Sequence, residues 1–233
     1  MADSVFPTLD QIVKHYRDVL ATNDQQLVCC NPLYPADEVP NEIAYHSLST
    51  LEPLQYYSLQ PGDSLLDIGC GAGADCFLAA YRGGPQVRVF GVDVVDDLIA
   101  RANELKAKYK IENVEFLNGT PPPVPFGPAS FDLVIMNYSF HLFEDKATLL
   151  REIERVLKKN GTVIIADDFT PKRLNHSEEL DNWIMAAGCA ISAEQFVTIS
   201  ASVGLDEISF INEDLPHLSK DEVVGYMICT RRQ

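Results

Sequence analysis

The residues of this chain that are best placed for chemistry surround a glycine-rich turn. The segment Ser64–Asp75 reads SLLDIGCGAGAD: an apolar run ends in Asp67, and three glycines (Gly69, Gly71 and Gly73) precede a helical pattern. Such glycines let a ligand approach bare backbone at a helix N-terminus. A second apolar run, VRVFGVD, ends about twenty residues later in Asp93, where a carboxylate can accept hydrogen bonds from ribose hydroxyls. The G-x-G-x-G spacing differs from the G-x-G-x-x-G of dinucleotide sites, so the motifs predict a nucleoside ligand without a pyrophosphate.

A second group of candidate residues follows the later apolar runs or lies in flanking segments. Asn137 ends one run, where it either contacts a ligand or caps the following turn. His141 is either a general base, since an imidazole titrates near neutrality, or a loop histidine bonded to backbone. The other candidates are Tyr138, Asp168, Phe169, Tyr16, Cys29, Cys30, Trp183 and Cys189.

Alternating strand and helix patterns predict the elements that hold these residues. The alternation is typical of an α/β fold with a mostly parallel sheet, helices on both faces and right-handed crossovers. Ligands then bind at the carboxyl ends of the strands. Strands are predicted near 64–69, 87–93, 113–117, 131–137, 162–167, 205–211 and 223–230, and helices near 74–82, 95–109, 145–159 and 192–203.

The clearest helix prediction covers 145–159. Asp145 lies near its start, Lys158 and Lys159 lie near its end, and Gly161 is expected to stop it. Its buried stripe is predicted to consist of Leu149, Leu150, Ile153, Val156 and Leu157.

The first sixty residues precede the glycine turn and are predicted to be a helical extension over the ligand site. Residues 8–21 have a helical apolar stripe, with Thr8 as the N-cap and Gln11 at the capping-box position. The proline-rich stretch 31–40 is expected to be irregular, and a second helix is expected from Asn41 towards Tyr57.

Composition limits the classes of function. The 233 residues are 46% hydrophobic and carry a formal net charge of −16. This length suits one α/β domain, and an acidic surface repels nucleic acid and anionic membranes. No apolar run is long enough to span a bilayer, and no signal segment is visible, so a cytoplasmic setting is expected. The six cysteines lack zinc-site spacing, so no metal site is predicted.

The two motifs resemble the cofactor site of the class I S-adenosylmethionine (SAM) methyltransferases. The segments 131–137 and 150–161 resemble the fourth strand and the following helix of that superfamily. The resemblance implies a Rossmann-like seven-stranded sheet with an antiparallel last strand, an extension at 1–60, and a methyltransferase domain at 61–233 with a cap insertion near 170–191. It also implies that SAM is bound, and S-adenosylhomocysteine released, by Asp67, Gly69, Gly71, Gly73, Asp75, Asp93, Val94, Asn118, Gly119, Thr120 and Asn137.

A closer resemblance is to the arsenite methyltransferases. It is carried by ADCFLAA after the glycine turn, by NVEF at 113–116 and by the stretch from Trp183 to Cys189. In that family three cysteine thiolates bind trivalent arsenic, whose lone pair attacks the methyl group. Cys29 or Cys30 matches the early cysteine and Cys189 the late one.

The match to the family's cysteines is incomplete. Tyr138 stands where a cysteine is expected after Asn137, and no cysteine lies near Thr50. The candidate catalytic residues are therefore Cys29, Cys30, Cys189, Tyr138 and His141.

Two kinds of acceptor stay open: a soft metalloid, or a small organic O-, N-, S- or C-nucleophile. Tyr138 and Phe140 give the predicted pocket an aromatic character that suits a sulfonium or an organic acceptor. A SAM-binding protein without activity and a nicotinamide oxidoreductase are the other classes considered, and the latter lacks its pyrophosphate turn. Both a monomer and a homodimer are compatible with the sequence.

Overall fold

A computed structural model describes residues 8–22, 34–35, 37–44, 51–169, 190–213 and 223–232. The helices are α1 (Leu9–Thr22), α2 (Asn41–Ala44), α3 (Ala74–Gly83), α4 (Asp96–Tyr109), α5 (Lys146–Val156) and α6 (Ala193–Ser202). The strands are β1 (Ser64–Ile68), β2 (Arg88–Asp93), β3 (Val114–Asn118), β4 (Phe131–Asn137), β5 (Leu157–Asp168), β6 (Leu205–Glu213) and β7 (Val224–Arg231). Short 3₁₀ turns cover Pro53–Tyr56 and Phe140–Leu142.

The seven strands form one sheet in the order β3-β2-β1-β4-β5-β7-β6. Strand β7 is antiparallel to both of its neighbours, and the other pairings are parallel. This confirms the predicted Rossmann-like, mostly parallel sheet with an antiparallel last strand. The chain order reverses between β1 and β4, and a crevice opens at the carboxyl ends of strands at such a point.

Apolar side chains pack against both faces of the sheet. Helices α3 and α4 cover one face through residues such as Leu78 and Leu105. Helices α5 and α6 cover the other face through residues such as Ile153 and Phe196. Each fully buried side chain of this size stabilises the fold by about 1.5–3 kcal/mol relative to an exposed one. The double-sided core explains why all five residues of β1 are buried.

The helix predicted over 145–159 ends earlier than expected. Asp145 caps α5 by accepting the Thr148 N–H, but Leu157 leaves the helix and pairs with Phe131 as the first residue of β5. Lys158 then pairs with Asp132 at 2.6 Å. The prediction failed because a buried leucine satisfies a helical stripe and a strand equally well.

The predicted helix from Asn41 towards Tyr57 is also wrong as one element. The described residues form the short helix α2 and the 3₁₀ turn that begins at Pro53, with residues 45–50 outside the described part. Glu52 has φ −122° and ψ 88°, because a residue before proline is driven out of the helical region.

The N-terminal helix prediction is confirmed for α1. The Thr8 N–H donates to Gln11 Oε1 at 2.8 Å, as the capping box requires. Within the described ranges no helix is long and apolar enough to cross a bilayer. Cys29, Cys30, Trp183, Cys189 and nearly all of the predicted cap insertion lie outside the described residues.

Candidate functional site

A cavity of about 310 Å³ opens at the point where the strand order reverses. Its walls come from the carboxyl ends of β1, β2 and β4, the turns that follow them, and α1. The structure therefore brings together motifs that are far apart in the chain. The predicted residues that line the cavity are Tyr16, Asp67, Gly69, Gly71, Asp75, Asp93, Val94, Thr120, Asn137 and Tyr138.

The glycine turn after β1 is tied to the end of β2. Gly71 has φ +53°, and a Cβ atom added there would meet no atom within 4 Å, so its backbone faces open space. Its N–H donates to Asp93 Oδ2 at 2.8 Å, and the Val95 N–H donates to Asp93 Oδ1 at 2.9 Å. The Val94 N–H is a third donor to this carboxylate, which leaves one lone pair that a ribose hydroxyl can use.

Three predicted cofactor residues do not line the cavity. Gly73 caps α3, and a Cβ atom there would lie 2.5 Å from the Phe116 ring, so this glycine permits close packing. The Asn118 amide donates to the carbonyls of Asp93 and Val94, and the Gly119 N–H donates to the Asp93 carbonyl. Direct ligand contacts by Gly73, Asn118 and Gly119 stay predictions.

Asp75 and Asn137 meet at one wall of the cavity. Asn137 Nδ2 donates to Asp75 Oδ2 at 2.8 Å and to the Leu51 carbonyl at 2.9 Å. The Tyr34 hydroxyl donates to Asp75 Oδ1 at 3.0 Å. Through its Nδ2 atom, Asn137 therefore joins β4 to α3 and to the segment before β1, and both alternatives for this residue, a ligand contact and a turn cap, stay predictions.

Asp67 is buried in the same wall with one oxygen unsatisfied. Its Oδ2 accepts a hydrogen bond from the Cys76 thiol at 3.4 Å. Its Oδ1 has no hydrogen-bond partner among the described residues. A buried acceptor without a partner is costly unless a ligand or a proton satisfies it.

The charge of the cavity wall is acidic. Asp67, Asp75, Asp93 and Glu144 line it, and none of the described lining residues is Lys, Arg or His. Burial raises the pKa of the Asp93 carboxyl, and the N–H donors of Val95 and Gly71 oppose that rise. The arrangement suits a ligand with positive charge.

Tyr138 and His141 belong to the β4–α5 turn but face different surroundings. Tyr138 has φ +50° and lines the cavity. His141 is absent from the lining and is 3% exposed. The ring Nδ1 of His141 lies 2.8 Å from Asp167 Oδ1, and the backbone N–H of His141 donates to Asp167 Oδ2 at 3.1 Å.

The Asp167 carboxylate therefore holds both the ring and the backbone of His141. Burial raises the pKa of Asp167, but the charge and hydrogen bonds of His141 outweigh burial and lower it. One ring nitrogen of His141 is thus paired with a carboxylate, and both alternatives for this residue, a general base and a loop histidine bonded to backbone, stay predictions.

Helix α1 covers one side of the cavity. Leu9, Ile12 and Tyr16 line it, and the helix packs on Val95 and Leu98 beside the end of β2. Outside the cavity, Arg17 pairs with Asp97 at 2.5 Å and with Asp96. Helix α1 thus lies beside the cavity as the sequence predicts, and its role as a cover of the ligand site stays a prediction.

Sequence reasoning missed several residues that shape the site. Tyr34 lies in a stretch that gave no periodic signal. The Ser139 hydroxyl donates to the Ile68 carbonyl at 2.7 Å and fixes the β4–α5 turn on the glycine turn. Ile12 had a usable signal, since it belongs to the apolar stripe predicted for 8–21.

Fold and cavity together define a Rossmann-like nucleoside-binding domain with an acidic site. SAM fits this site, because it combines an adenosine with a sulfonium and an ammonium group, the cavity wall is acidic, and the buried Asp67 Oδ1 can accept a hydrogen bond. The contact of Asp93 with the sugar stays a prediction. Within the described residues no cluster of His, Cys, Asp and Glu is arranged to hold a metal.

A family model described as a methyltransferase domain matches residues 59–195. The chain therefore belongs to the SAM-dependent methyltransferase domain family, as its motifs predicted. Its cofactor is SAM, the methyl donor of that family.

Two relatives illustrate the similarity. The arsenite methyltransferase of Halobacterium salinarum is 34% identical over 196 residues, which cover 83% of this chain and 49% of that protein. The demethylmenaquinone methyltransferase of Lactococcus lactis is 38% identical over 113 residues, or 47% of this chain and 44% of that protein. This chain spans about half the length of the curated relatives it matches, or somewhat less.

Among solved structures, phosphoethanolamine N-methyltransferase 2 of Haemonchus contortus superposes with a TM-score of 0.72 at 20% identity. The superposition covers 100% of this chain and 61% of that one. At this identity the similarity supports the fold.

Proposed function

We propose that this chain transfers the methyl group of SAM to a small acceptor, and that the acceptor is trivalent arsenic or another soft metalloid. The observation that carries the transferase proposal is the acidic cavity in which Asp93 holds the exposed Gly71 turn. Bound SAM supplies an electrophilic methyl group on a positively charged sulfur. The chain has to bind this donor, align the acceptor and exclude water.

The described residues provide for each of these tasks. Asp93 and the backbone at Gly71 form the sugar side of the site. Apolar side chains of α1, such as Ile12, and Leu142 from the β4–α5 turn close the cavity against water. Asp167 fixes that turn through His141, which keeps Tyr138 at the cavity wall. Positioning of this kind supplies much of the rate in a displacement at a reactive methyl group.

The arsenic proposal is supported by the arsenite methyltransferase relative and by the cysteine inventory. A thiol binds a soft metalloid as its thiolate. Burial raises the pKa of the Cys70 thiol to about 11 and that of Cys229 to about 12, and raises that of Cys76 as well. These three thiols are therefore poor ligands, and thiolates for arsenic would come from Cys29, Cys30 and Cys189.

An organic acceptor is the second candidate. The quinone methyltransferase relative and the place of Tyr138 favour it, because an aromatic wall suits a planar or apolar acceptor. An acceptor with a net negative charge is disfavoured in both cases by the carboxylates of the cavity.

The test is an assay with SAM, arsenite and glutathione, in which methylated arsenic products are separated and quantified. We expect turnover by the wild type, loss of at least about tenfold in Cys189→Ser, and near-normal turnover in the control Cys229→Ala, whose side chain is buried away from the cavity. Absence of arsenic methylation by a wild type that binds SAM would reject the metalloid. A parallel assay with a demethylated quinone then tests the second candidate.

A further inference from the structure

The carboxyl groups of Asp67 and Asp75 are buried and face the same cavity. Among the described residues no cation contacts Asp67. Asp67 is 2% exposed and Asp75 is 6% exposed, and both line the cavity. The Asp67 Oδ1 atom has no partner among the described residues. In a low-dielectric site, ionising both of two neighbouring carboxyl groups costs more free energy than ionising two separate ones in water, so one of them keeps its proton to a higher pH.

The charged groups around Asp67 and Asp75 do not neutralise the negative charge of the two carboxyl groups. Asp67 faces the thiol of Cys76 on α3 and the carboxylate of Asp93 on β2. Asp75 faces the neutral donors Tyr34 and Asn137. The Arg82 guanidinium on α3 acts on Asp75 electrostatically, but it is paired with Glu38 at 2.6 Å and with Glu52 at 2.5 Å.

We propose that the two carboxyl groups of Asp67 and Asp75 together carry one proton in the ligand-free cleft and release it when the positively charged methyl donor binds. This inference rests on the proposed function for the identity of the donor. The positive charge of the ligand replaces the proton beside the carboxylates, and the proton passes to the solvent buffer. The negative charge of the two carboxyl groups thus favours a cationic ligand, and the otherwise unsatisfied Asp67 oxygen favours a ligand that donates a hydrogen bond.

The electrostatics of the free protein support the exchange. Burial raises the pKa of Asp67 well above its usual value, and the neighbouring Asp75 raises it further. Burial also raises the pKa of Asp75, against the hydrogen bonds from Asn137 and Tyr34. A bound cation lowers both values, so affinity for the donor must rise with pH until the free pair is ionised.

The test is isothermal titration calorimetry of the full chain with SAM between pH 6 and 8, in phosphate and in Tris. These buffers differ in ionisation enthalpy, so a released proton makes the observed enthalpy depend on the buffer. We expect release of up to one proton per SAM. We also expect the affinity to rise by at most about tenfold per pH unit, the limit for one proton. An enthalpy that is independent of buffer across this range would overturn the proposal.

Substitutions test whether the released proton comes from Asp67 and Asp75. Asp67→Asn should bind SAM without proton release and with an affinity that changes little with pH. The matched control is Asp132→Asn, which removes a carboxylate bonded to Ser64 and Lys158, and it should behave as the wild type. Proton release that persists in Asp67→Asn would refute the assignment.

A second variant keeps the test valid if the first variant does not fold. If circular dichroism shows that Asp67→Asn is unfolded, Asp75→Asn should at least halve the release, because Asp67 then lacks its charged neighbour. The two proposals fail in different ways: a chain that takes up no SAM contradicts the proposed function, whereas uptake without proton release contradicts only the proton carried by the two carboxyl groups.

Discussion

The carboxylate of Asp93 accepts a hydrogen bond from the backbone N–H of Gly71 at 2.8 Å. The end of β2 and the turn after β1 are therefore one unit. The same carboxylate accepts the Val95 N–H through its other oxygen, which fixes the start of α4. We therefore expect a change at Asp93 to remove a contact to the ligand and also to release the backbone of the glycine turn.

Asp93→Ala should raise the dissociation constant for SAM by about 10- to 100-fold. A hydrogen bond to a charged group is worth about 1.5–3 kcal/mol, and one such bond to the ligand is lost. Isothermal calorimetry measures the change. The control is Asp96→Ala, an exposed carboxylate three residues along the chain that pairs with Arg17. Equal affinities of Asp93→Ala and the wild type would remove Asp93 from the site.

Alanine at Gly71 and at Gly73 should separate binding from stability. At Gly73 the new methyl group would lie 2.5 Å from the Phe116 ring in a backbone of φ +87°, so we expect a loss of about 2–4 kcal/mol of unfolding free energy. At Gly71 the methyl group meets open space, and about 1 kcal/mol is expected from the positive φ alone. Urea unfolding and SAM titration should show the larger affinity loss in Gly71→Ala. The reverse ranking would contradict the cavity geometry.

Ile12→Ala should weaken SAM binding roughly fivefold, since about 1 kcal/mol of apolar contact is removed from the cavity cover. Ile12 lines the cavity from α1. Lys14→Ala is the matched control, because Lys14 is exposed on the same helix and pairs with Asp18. A similar loss in both variants would mean that the effect comes from the helix as a whole.

His141→Gln should lower stability more than it changes the pH dependence of methyl transfer. Its loss leaves the buried Asp167 carboxylate without the ring donor, which costs about 1–3 kcal/mol. Urea unfolding checks the stability, and the pH profile of kcat checks the chemistry. Loss of one limb of the profile would instead support His141 as the general base.

Asp75→Asn should change stability in a pH-dependent way. Burial raises the pKa of Asp75 to about 6, and the hydrogen bonds from Asn137 and Tyr34 only partly offset it. The folded protein then binds more protons than the unfolded chain between about pH 4 and pH 6, so the carboxyl lowers stability as the pH rises through that window. We expect the variant to gain about 1 kcal/mol or more over the wild type from pH 4 to pH 7. A constant difference across this range would contradict the raised pKa.

The fold was largely predictable because its signals are local. The strand that carries Asp67 near its end, the capping box of Thr8 and Gln11, and the stripe of α5 each follow from spacing within a few residues. Prediction failed at Leu157, where a buried leucine suits a helix or a strand and the pairing with Phe131 decides. It failed at Glu52 as well, because the effect of Pro53 was overlooked.

The sequence by itself determined the class of ligand and the residues on the strand ends, since glycine spacing and terminal carboxylates act through local backbone geometry. Only the tertiary structure decided that Tyr34 and Asn137 bind Asp75, that His141 turns to Asp167, and that Asp67 is left with an unsatisfied oxygen. These contacts join residues far apart in the chain, and burial sets their charge states. Neither proximity nor burial is encoded in the spacing of neighbours along the sequence.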